Sequence, residues 1–505
     1  MGALVMPPAL VTRRPWAARI ARDRAARWGG GVVAGALTLA AGQARAGEVQ
    51  VVSRTLGEGY VVQVPGEGGQ LLRRRRLVQM VSLGVYGLLP PPPGQARRDP
   101  ADGQLRVRTS LRLRHDFGDF QRRASGRAGA LVGAVDGRQV DLMFGYLEGE
   151  RLGGWVDLRV GRQLEASGLD FFAFDGGWVR LRTPVHLAAE VFGGFGVRGG
   201  DALGYSEFDL DGLMGLAGED GPPTRRVVVG AAASVLGLNW LQARVAYRRS
   251  WSPARLNPQQ EVSLTTVDQS VMSASFALDP MGGKLVPYGA VRTNLGTARV
   301  DDLSGGVSWN ITPRHGLRLS YLRRIPSFDL DSIFNVFALS PFSDGRLIYQ
   351  VRLGARWTVQ ARAQLRVLQD RATASGQAPT RRARPGYGGG AGVVHQRRRL
   401  SLRLDAFGLG GEGGVRAGGS ASSRVHLWWD RVALDSRAFV TYYRDDVTRA
   451  RRGTNLALQL GANVRLDHGV YLHVVGEELV TPQLRSALRI WGALSVDWTL
   501  RAGAR

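Results

Sequence analysis

The stretch Leu105–Phe117, LRVRTSLRLRHDF, alternates apolar and polar side chains one for one. One parity carries Leu105, Val107, Thr109, Leu111 and Leu113, and the other carries Arg106, Arg108, Ser110, Arg112 and Arg114. Because side chains of a β-strand point alternately to opposite faces, this stretch predicts a strand with one apolar and one cationic face. A soluble β-sandwich turns the apolar face to its core. A transmembrane β-barrel turns it to lipid and turns the polar face to a water-filled lumen.

The first 46 residues are typical of a secretory signal peptide and favour the membrane barrel. An arginine-rich region precedes the apolar run Trp28–Gly42, and Ala44-Arg45-Ala46 fits the small-x-small cleavage pattern. Translation starts at either Met1 or Met6. Beyond Gly47 no run reaches the roughly 18 apolar residues that a membrane helix needs, so an exported chain of this kind is soluble or a barrel.

Composition narrows the chemistry. The chain contains no cysteine, which excludes disulfides, thiol nucleophiles and thiolate metal sites. The formal net charge is +25 and is carried almost wholly by arginine, since Lys284 is the only lysine. A GC-rich genome explains arginine in place of lysine but not the excess of positive charge. An arginine-lined passage attracts anions.

Alternating segments recur from Leu105 to Leu500, in pairs separated by tight and then longer connections. Their spacing predicts an all-β, transmembrane, antiparallel up-and-down β-barrel of about 16–20 strands. The predicted organisation is a signal peptide over 1–46, a short N-terminal periplasmic or interfacial segment over 47–103, and the barrel over 104–505. Within the second segment, the run Leu77–Leu89 is either a first barrel strand or an interfacial segment.

Parity predicts which arginines line the lumen and set its selectivity. These are Arg108, Arg112, Arg159, Arg180, Arg182, Arg244, Arg352, Arg362 and Arg403. Arginine is nearly absent from the other parity within strand centres, as expected if that face meets lipid, where a charge at mid-bilayer costs about 2–4 kcal/mol.

A constriction is predicted in the long connection Pro326–Arg346, which carries Phe328, Phe334, Phe337 and Phe342. A solvated loop tip would not favour so many phenylalanines. The loop either folds into the lumen or packs on its neighbours.

The segment Val156–Pro184 carries GRQ (Gly161, Arg162, Gln163) followed by FDG (Phe174, Asp175, Gly176). This hairpin resembles one in alginate-export-type porins of Gram-negative outer membranes. The resemblance covers about thirty residues and implies a basic lumen that passes an anionic polymer or solute. The alternative is an Arg162–Asp175 salt bridge that only fixes the hairpin.

Signals for an enzyme or a cofactor are poor. Histidines lack metal-ligand spacing apart from the loose pair His468 and His473, and the Asp209/Asp211 and Asp329/Asp331 pairs lack a full calcium ligand set. The run Arg73–Arg76 suits anionic lipid better than nucleic acid. The C-terminal strand resembles the signal read by the barrel-assembly machinery, although the chain continues to Arg505.

We therefore expect an outer-membrane porin-like channel without a cofactor. It would pass small anionic solutes passively, interact with outer-membrane lipid and possess no enzymatic activity; homo-oligomerisation is left open. The alternatives are a non-conducting barrel that acts as a scaffold or sheath for a partner protein, and a surface enzyme built in the external loops.

Overall fold

The computed structural model describes residues 47–63, 71–89, 103–116, 138–197, 226–254, 264–296, 298–325, 341–372, 380–412, 414–428, 431–445, 451–482 and 486–501. These residues form one antiparallel sheet of 22 strands. The first eleven strands are β1 (Glu48–Gln63), β2 (Leu71–Tyr86), β3 (Gln104–Asp116), β4 (Arg138–Leu152), β5 (Val156–Ser167), β6 (Asp170–Arg182), β7 (Leu187–Gly196), β8 (Arg226–Val235), β9 (Leu241–Ala254), β10 (Leu264–Leu278) and β11 (Leu285–Asn294). The remaining eleven are β12 (Arg299–Asn310), β13 (His315–Arg324), β14 (Phe342–Leu353), β15 (Trp357–Ala372), β16 (Thr380–Gln396), β17 (Leu400–Gly411), β18 (Gly414–Leu427), β19 (Val432–Asp445), β20 (Arg451–Asp467), β21 (Val470–Val480) and β22 (Ser486–Arg501).

Each strand pairs with the next along the chain, and the sheet closes where β1 pairs with β22. Glu48 lies opposite both Tyr86 and Arg501, so the two termini of the sheet meet at one end of the barrel. The same end holds short turns, such as 354–356 between β14 and β15 and 468–469 between β20 and β21. We call it the short-turn end.

The two faces of the wall differ as the alternation predicts. Large apolar side chains on one face are about half exposed, including Val160, Leu181, Val191, Leu404 and Leu460. The opposite face carries the arginines and their carboxylate partners. That second face is the concave one, because Gly168 in the β5–β6 turn approaches Ser273 of β10 on this side, across the intervening strands. We call the two faces outer and inner.

The predicted all-β, antiparallel, up-and-down barrel is confirmed, but the predicted count of about 16–20 strands was too low. The two further strands, β1 and β2, lie in the segment 47–103, which the predicted organisation places outside the barrel. Alternation fails to reveal β2 because its inner face carries Val78, Met80, Ser82 and Gly84, none of which is charged. The run Leu77–Leu89 therefore belongs mostly to a barrel strand. Among the described residues, no helix is long and apolar enough to cross a membrane.

Candidate functional site: the barrel lumen

The strand register places all nine predicted lumen arginines on the inner face. On β3 and β4, for example, Arg112 lies opposite Asp141. On β14 and β15, Arg352 lies opposite Thr358 and Arg362 lies opposite Ile348, so the register places both arginines on the same face. The structure divides these arginines into two groups, according to whether a carboxylate neutralises them.

Over β3–β6 most inner arginines are paired; Arg108 instead lies over the ring of Phe144, 5.8 Å from its centroid. Glu148 accepts from the Nε atoms of Arg106 and Arg159, both at 2.7 Å. The carboxylate is nearly inaccessible, at 3% exposure of its side chain, and the two guanidiniums cover it. Asp141 is held in the same way by Arg112 at 2.8 Å and Arg114 at 3.1 Å. A buried carboxylate is tolerable only when it is paired, so these pairs are structural units of the wall.

A second paired group surrounds Glu190 on β7. Its carboxylate forms ion pairs with Arg180 at 3.0 Å and Arg244 at 2.6 Å, and it accepts a hydrogen bond from the indole N–H of Trp178 at 3.4 Å. Arg180 also lies 3.7 Å from Asp157. These contacts join β5, β6, β7 and β9 on the lumen side, although β9 does not border β7 in the sheet. The long side chain of Arg244 reaches across Ala232 of β8, a small residue that lies opposite Glu190 in the register.

The β5–β6 hairpin leaves the wall part-way along its length. Pairing of β5 with β4 ends at Arg162, opposite Gly145. Pairing of β6 with β7 ends at Phe174, opposite Gly196. Beyond these points, Gln163–Ser167 pairs only with the facing part of β6. This free part of the hairpin, residues 163–173, is called the inward hairpin below.

The inward hairpin folds against the inner face of β7–β10. Leu169, at its turn, is 1% exposed and belongs to one apolar cluster with residues of β9 and β10. The cluster comprises Leu169, Phe174, Trp178, Phe192, Val228, Ala232, Ala246 and Val271. A Cβ placed on Gly168 would lie only 3.2 Å from the Ser273 Oγ on β10. The turn therefore crosses the lumen side of three strands and occupies part of the lumen.

The motif residues form the base of this hairpin. Gly161 pairs with Gly176, Arg162 with Asp175, and Gln163 with Phe174 across β5 and β6. Gly161 has a φ of 127°, and its ideal Cβ would lie 2.2 Å from the Gly145 carbonyl oxygen, so only glycine fits where β5 turns away from β4.

Arg162 and Asp175 form a bidentate ion pair on the outer face, with both N–O distances at 2.7 Å. Arg162 also donates from Nη1 to the Leu142 carbonyl oxygen at 3.3 Å, on the edge of β4 that the hairpin has left. These two residues are therefore not lumen groups. They tie the base of the inward hairpin to the wall, which is the salt-bridge alternative considered for this motif.

The inner face of β14–β20 is less neutralised. Asp344 pairs with Arg346 and Arg366, Asp405 with Arg403, and Asp435 with Arg424. Among the described residues, no carboxylate lies within 4.0 Å of four further inner-face arginines. These are Arg352, Arg362, Arg437 and Arg465.

A recess of about 600 Å³ opens into the lumen over β17–β21. Arg437, Gln459 and Glu477 follow one another in register across its floor, and Phe439 lies beside them with 37% of its surface exposed. Arg403 lines it while paired to Asp405 at 2.6 Å. The recess therefore offers an accessible guanidinium, a carboxylate, an amide and an aromatic ring to a solute.

The connection 326–340, with Phe328, Phe334 and Phe337, lies outside the described residues. Phe342 opens β14, and its ring centroid lies 5.5 Å from the Arg366 guanidinium on the inner face. The inward hairpin is not the predicted constriction, because that prediction lies in a long connection whereas this hairpin closes with the two-residue turn 168–169. The signal in the sequence that could have indicated this hairpin is the glycine in each of GRQ and FDG, together with the aromatic run Phe171–Phe174 that leads into FDG.

No group of three or more potential metal ligands occurs in the part of the chain that the structure describes. His473 and His468 do not come together: His473 bonds to Asn463 on the inner face, whereas His468 lies in a turn beside Asp467.

No protein-family model and no curated protein matches this sequence. Solved structures with a similar fold include OccK9 (OpdG) of Pseudomonas aeruginosa, at 12% identity and a TM-score of 0.43, covering 90% of this chain and 98% of that one. OccK2 (OpdF) of the same organism, in complex with glucuronate, has 8% identity and a TM-score of 0.43 over 91% and 100% of the chains. OpdK with vanillate has 11% identity and a TM-score of 0.41 over 90% and 98%. The alginate-export-type resemblance of the hairpin has no counterpart among these matches.

Proposed function

We propose that this chain is an outer-membrane channel that passes small anionic solutes by passive diffusion. In this proposal residues 1–46 are a cleaved signal peptide, the barrel-assembly machinery inserts the chain, and the outer face meets lipid. The short-turn end faces the periplasm, as in outer-membrane barrels generally.

The observation that carries the anion preference is the set of unneutralised inner arginines on β14–β20. A fixed cation in a water-filled passage raises the local concentration of anions and lowers that of cations. Arg352, Arg362, Arg437 and Arg465 supply such charges, because no described carboxylate lies within 4.0 Å of them. The paired arginines of β3–β6 contribute less, since Glu148, Asp141 and their partners neutralise one another.

The inward hairpin and the inner face of β14–β20 would have different roles in permeation. The inward hairpin, which rests on β7–β10, limits the cross-section on one side of the lumen. A solute then passes along the opposite wall, where the accessible guanidiniums and the exposed ring of Phe439 lie. Size exclusion and charge selection would therefore come from different strands.

The test is the reversal potential of the refolded protein in a planar bilayer under a salt gradient. We expect stepwise openings with anion selectivity, and we expect the triple charge reversal R352E/R362E/R437E to remove or invert it. The matched control is K284E, a charge reversal in the 279–284 turn at the short-turn end, which should leave the sign unchanged. Cation selectivity in the wild type, or an unchanged reversal potential in the triple variant, would refute the proposed selectivity.

A non-conducting scaffold is the second candidate, and the paired wall favours it. Buried carboxylates on β4, β5 and β7, together with the inward hairpin, fill part of the lumen with fixed structure. A barrel that refolds with heat-modifiable gel mobility but never conducts would select the scaffold.

A further inference from the structure

The short-turn end carries an uneven distribution of charge that the channel function does not use. Four consecutive turns, 311–314, 354–356, 397–399 and 428–431, contain six arginines. They are Arg314, Arg356, Arg397, Arg398, Arg399 and Arg431, and all are exposed. We call this set the basic arc. The turns 153–155, 183–186 and 236–240, on another part of the same end, contain no arginine, lysine or carboxylate.

The basic arc is almost free of compensating charge. Among the described residues, no carboxylate lies within 4.0 Å of any of its six guanidiniums. Arg431 does feel the charge of Asp467, the last residue of β20 at the same end. Asp430 belongs to the sequence of the last turn but lies outside the described residues. Five of the six arginines thus lie in turns whose sequence contains no acidic residue.

Exposed indole rings accompany these arginines. Trp309 precedes the first turn and Trp357 follows the second, each 46% exposed on the outer face, and Trp428 opens the fourth turn at 74% exposure. Indole rings favour the headgroup level of a membrane, because they combine an apolar body with a polar N–H. The neighbouring arginines would therefore lie at the level of the lipid phosphates.

We propose that the basic arc binds the phosphate headgroups of anionic phospholipids in the membrane leaflet at the short-turn end. The geometry favours a row of small ligands over one protein partner. Alternate strands are about 10 Å apart, so the four turns extend over roughly 30 Å of the convex rim. Each turn offers at least one guanidinium, which pairs well with a phosphate. The inference rests on the membrane insertion contained in the proposed function, but not on conduction.

The test compares full-length wild type with R397Q/R398Q, and with R151Q/K284Q as the matched control. The control removes two positive charges from exposed residues near the same end but outside the arc. Each protein is equilibrated with equimolar phosphatidylglycerol and phosphatidylethanolamine in detergent, and the bound lipid is counted by native mass spectrometry. We expect wild type and control to retain phosphatidylglycerol preferentially. We expect R397Q/R398Q to lose about fivefold in preference per charge removed.

Equal retention of the two lipids by wild type, or equal losses in the arc variant and the control, would overturn the proposal. Binding of a poly-glutamate peptide by wild type, without preference for phosphatidylglycerol, would also overturn it and indicate an acidic protein partner. Heat-modifiable mobility of all three proteins verifies folding. Single-channel conductance of the same samples separates the two hypotheses, since a silent barrel that retains phosphatidylglycerol contradicts the channel and not the lipid site.

Discussion

The guanidinium of Arg248 on β9 lies 4.4 Å from the ring centroid of Phe172 on β6. Two strands, β7 and β8, separate β6 from β9 in the sheet, so this contact exists only because the inward hairpin crosses the inner face. An attraction of this kind contributes about 0.5–2 kcal/mol, depending on how far the cation is desolvated. The pair therefore fastens the hairpin to β9, three strands along the sheet from β6.

Replacing Phe172 by alanine should loosen the inward hairpin. The variant loses the cation–π contact and the packing of the Phe172 ring against Phe174 and Phe192. We expect a larger and noisier single-channel conductance, with the barrel still folded. F407A is the matched control, because it removes a similar contact with Arg362 on β15, far from the hairpin. Identical traces for F172A and wild type would show that the hairpin does not limit the current.

A side chain at Gly230 of β8 should displace the inward hairpin by pushing on Phe192, which packs against it. The ring of Phe192 lies over this glycine, and a Cβ there would be 2.0 Å from the ring. We expect G230V to shift Phe192 and to enlarge the access of polyethylene glycol probes of graded size to the lumen. The comparison is G476V on β21, where a Cβ meets no atom within 4 Å.

The Arg162–Asp175 pair predicts an asymmetric cost of mutation. D175L leaves Arg162 without its carboxylate partner on the outer face where, in the proposed membrane barrel, a charge at mid-bilayer costs about 2–4 kcal/mol. R162L/D175L removes both charges and should recover most of that loss. Urea unfolding in lipid vesicles measures the effect. Additive losses in the double variant would contradict a direct coupling.

Glu190 neutralises two arginines, so E190Q should change selectivity and stability together. The amide keeps the shape but leaves Arg180 and Arg244 without this counter-charge. Removing one partner of a buried pair costs about 3–5 kcal/mol, which urea unfolding would detect. We expect a reversal potential shifted further in the anion-selective direction. A shift toward cations would contradict the assignment of these side chains to the lumen.

In the recess over β17–β21, one positive and one negative side chain, Arg437 and Glu477, can each be neutralised within the same row of in-register residues. R437Q should weaken anion selectivity and E477Q should strengthen it, because the two side chains lie two strands apart on the same inner face. The difference between their reversal potentials is the measurement, and wild type should fall between them. The same direction of shift for both variants would show that charge in this row does not govern permeation.

The alternation in Leu105–Phe117 and its repeats determined the barrel and the face of every predicted lumen arginine, because a two-residue period leaves no other assignment in a closed sheet. It did not determine β2, whose inner face is uncharged from Val78 to Gly84, and so the strand count was low. Only the tertiary structure decided that Arg159 and Arg180 are neutralised while Arg352 and Arg362 are not. That difference depends on which strands carry Glu148 and Glu190 beside them. Only the tertiary structure decided that the β5–β6 hairpin turns inward, because the apolar surface that holds Leu169 is assembled from β6–β10, which come together only when the barrel closes.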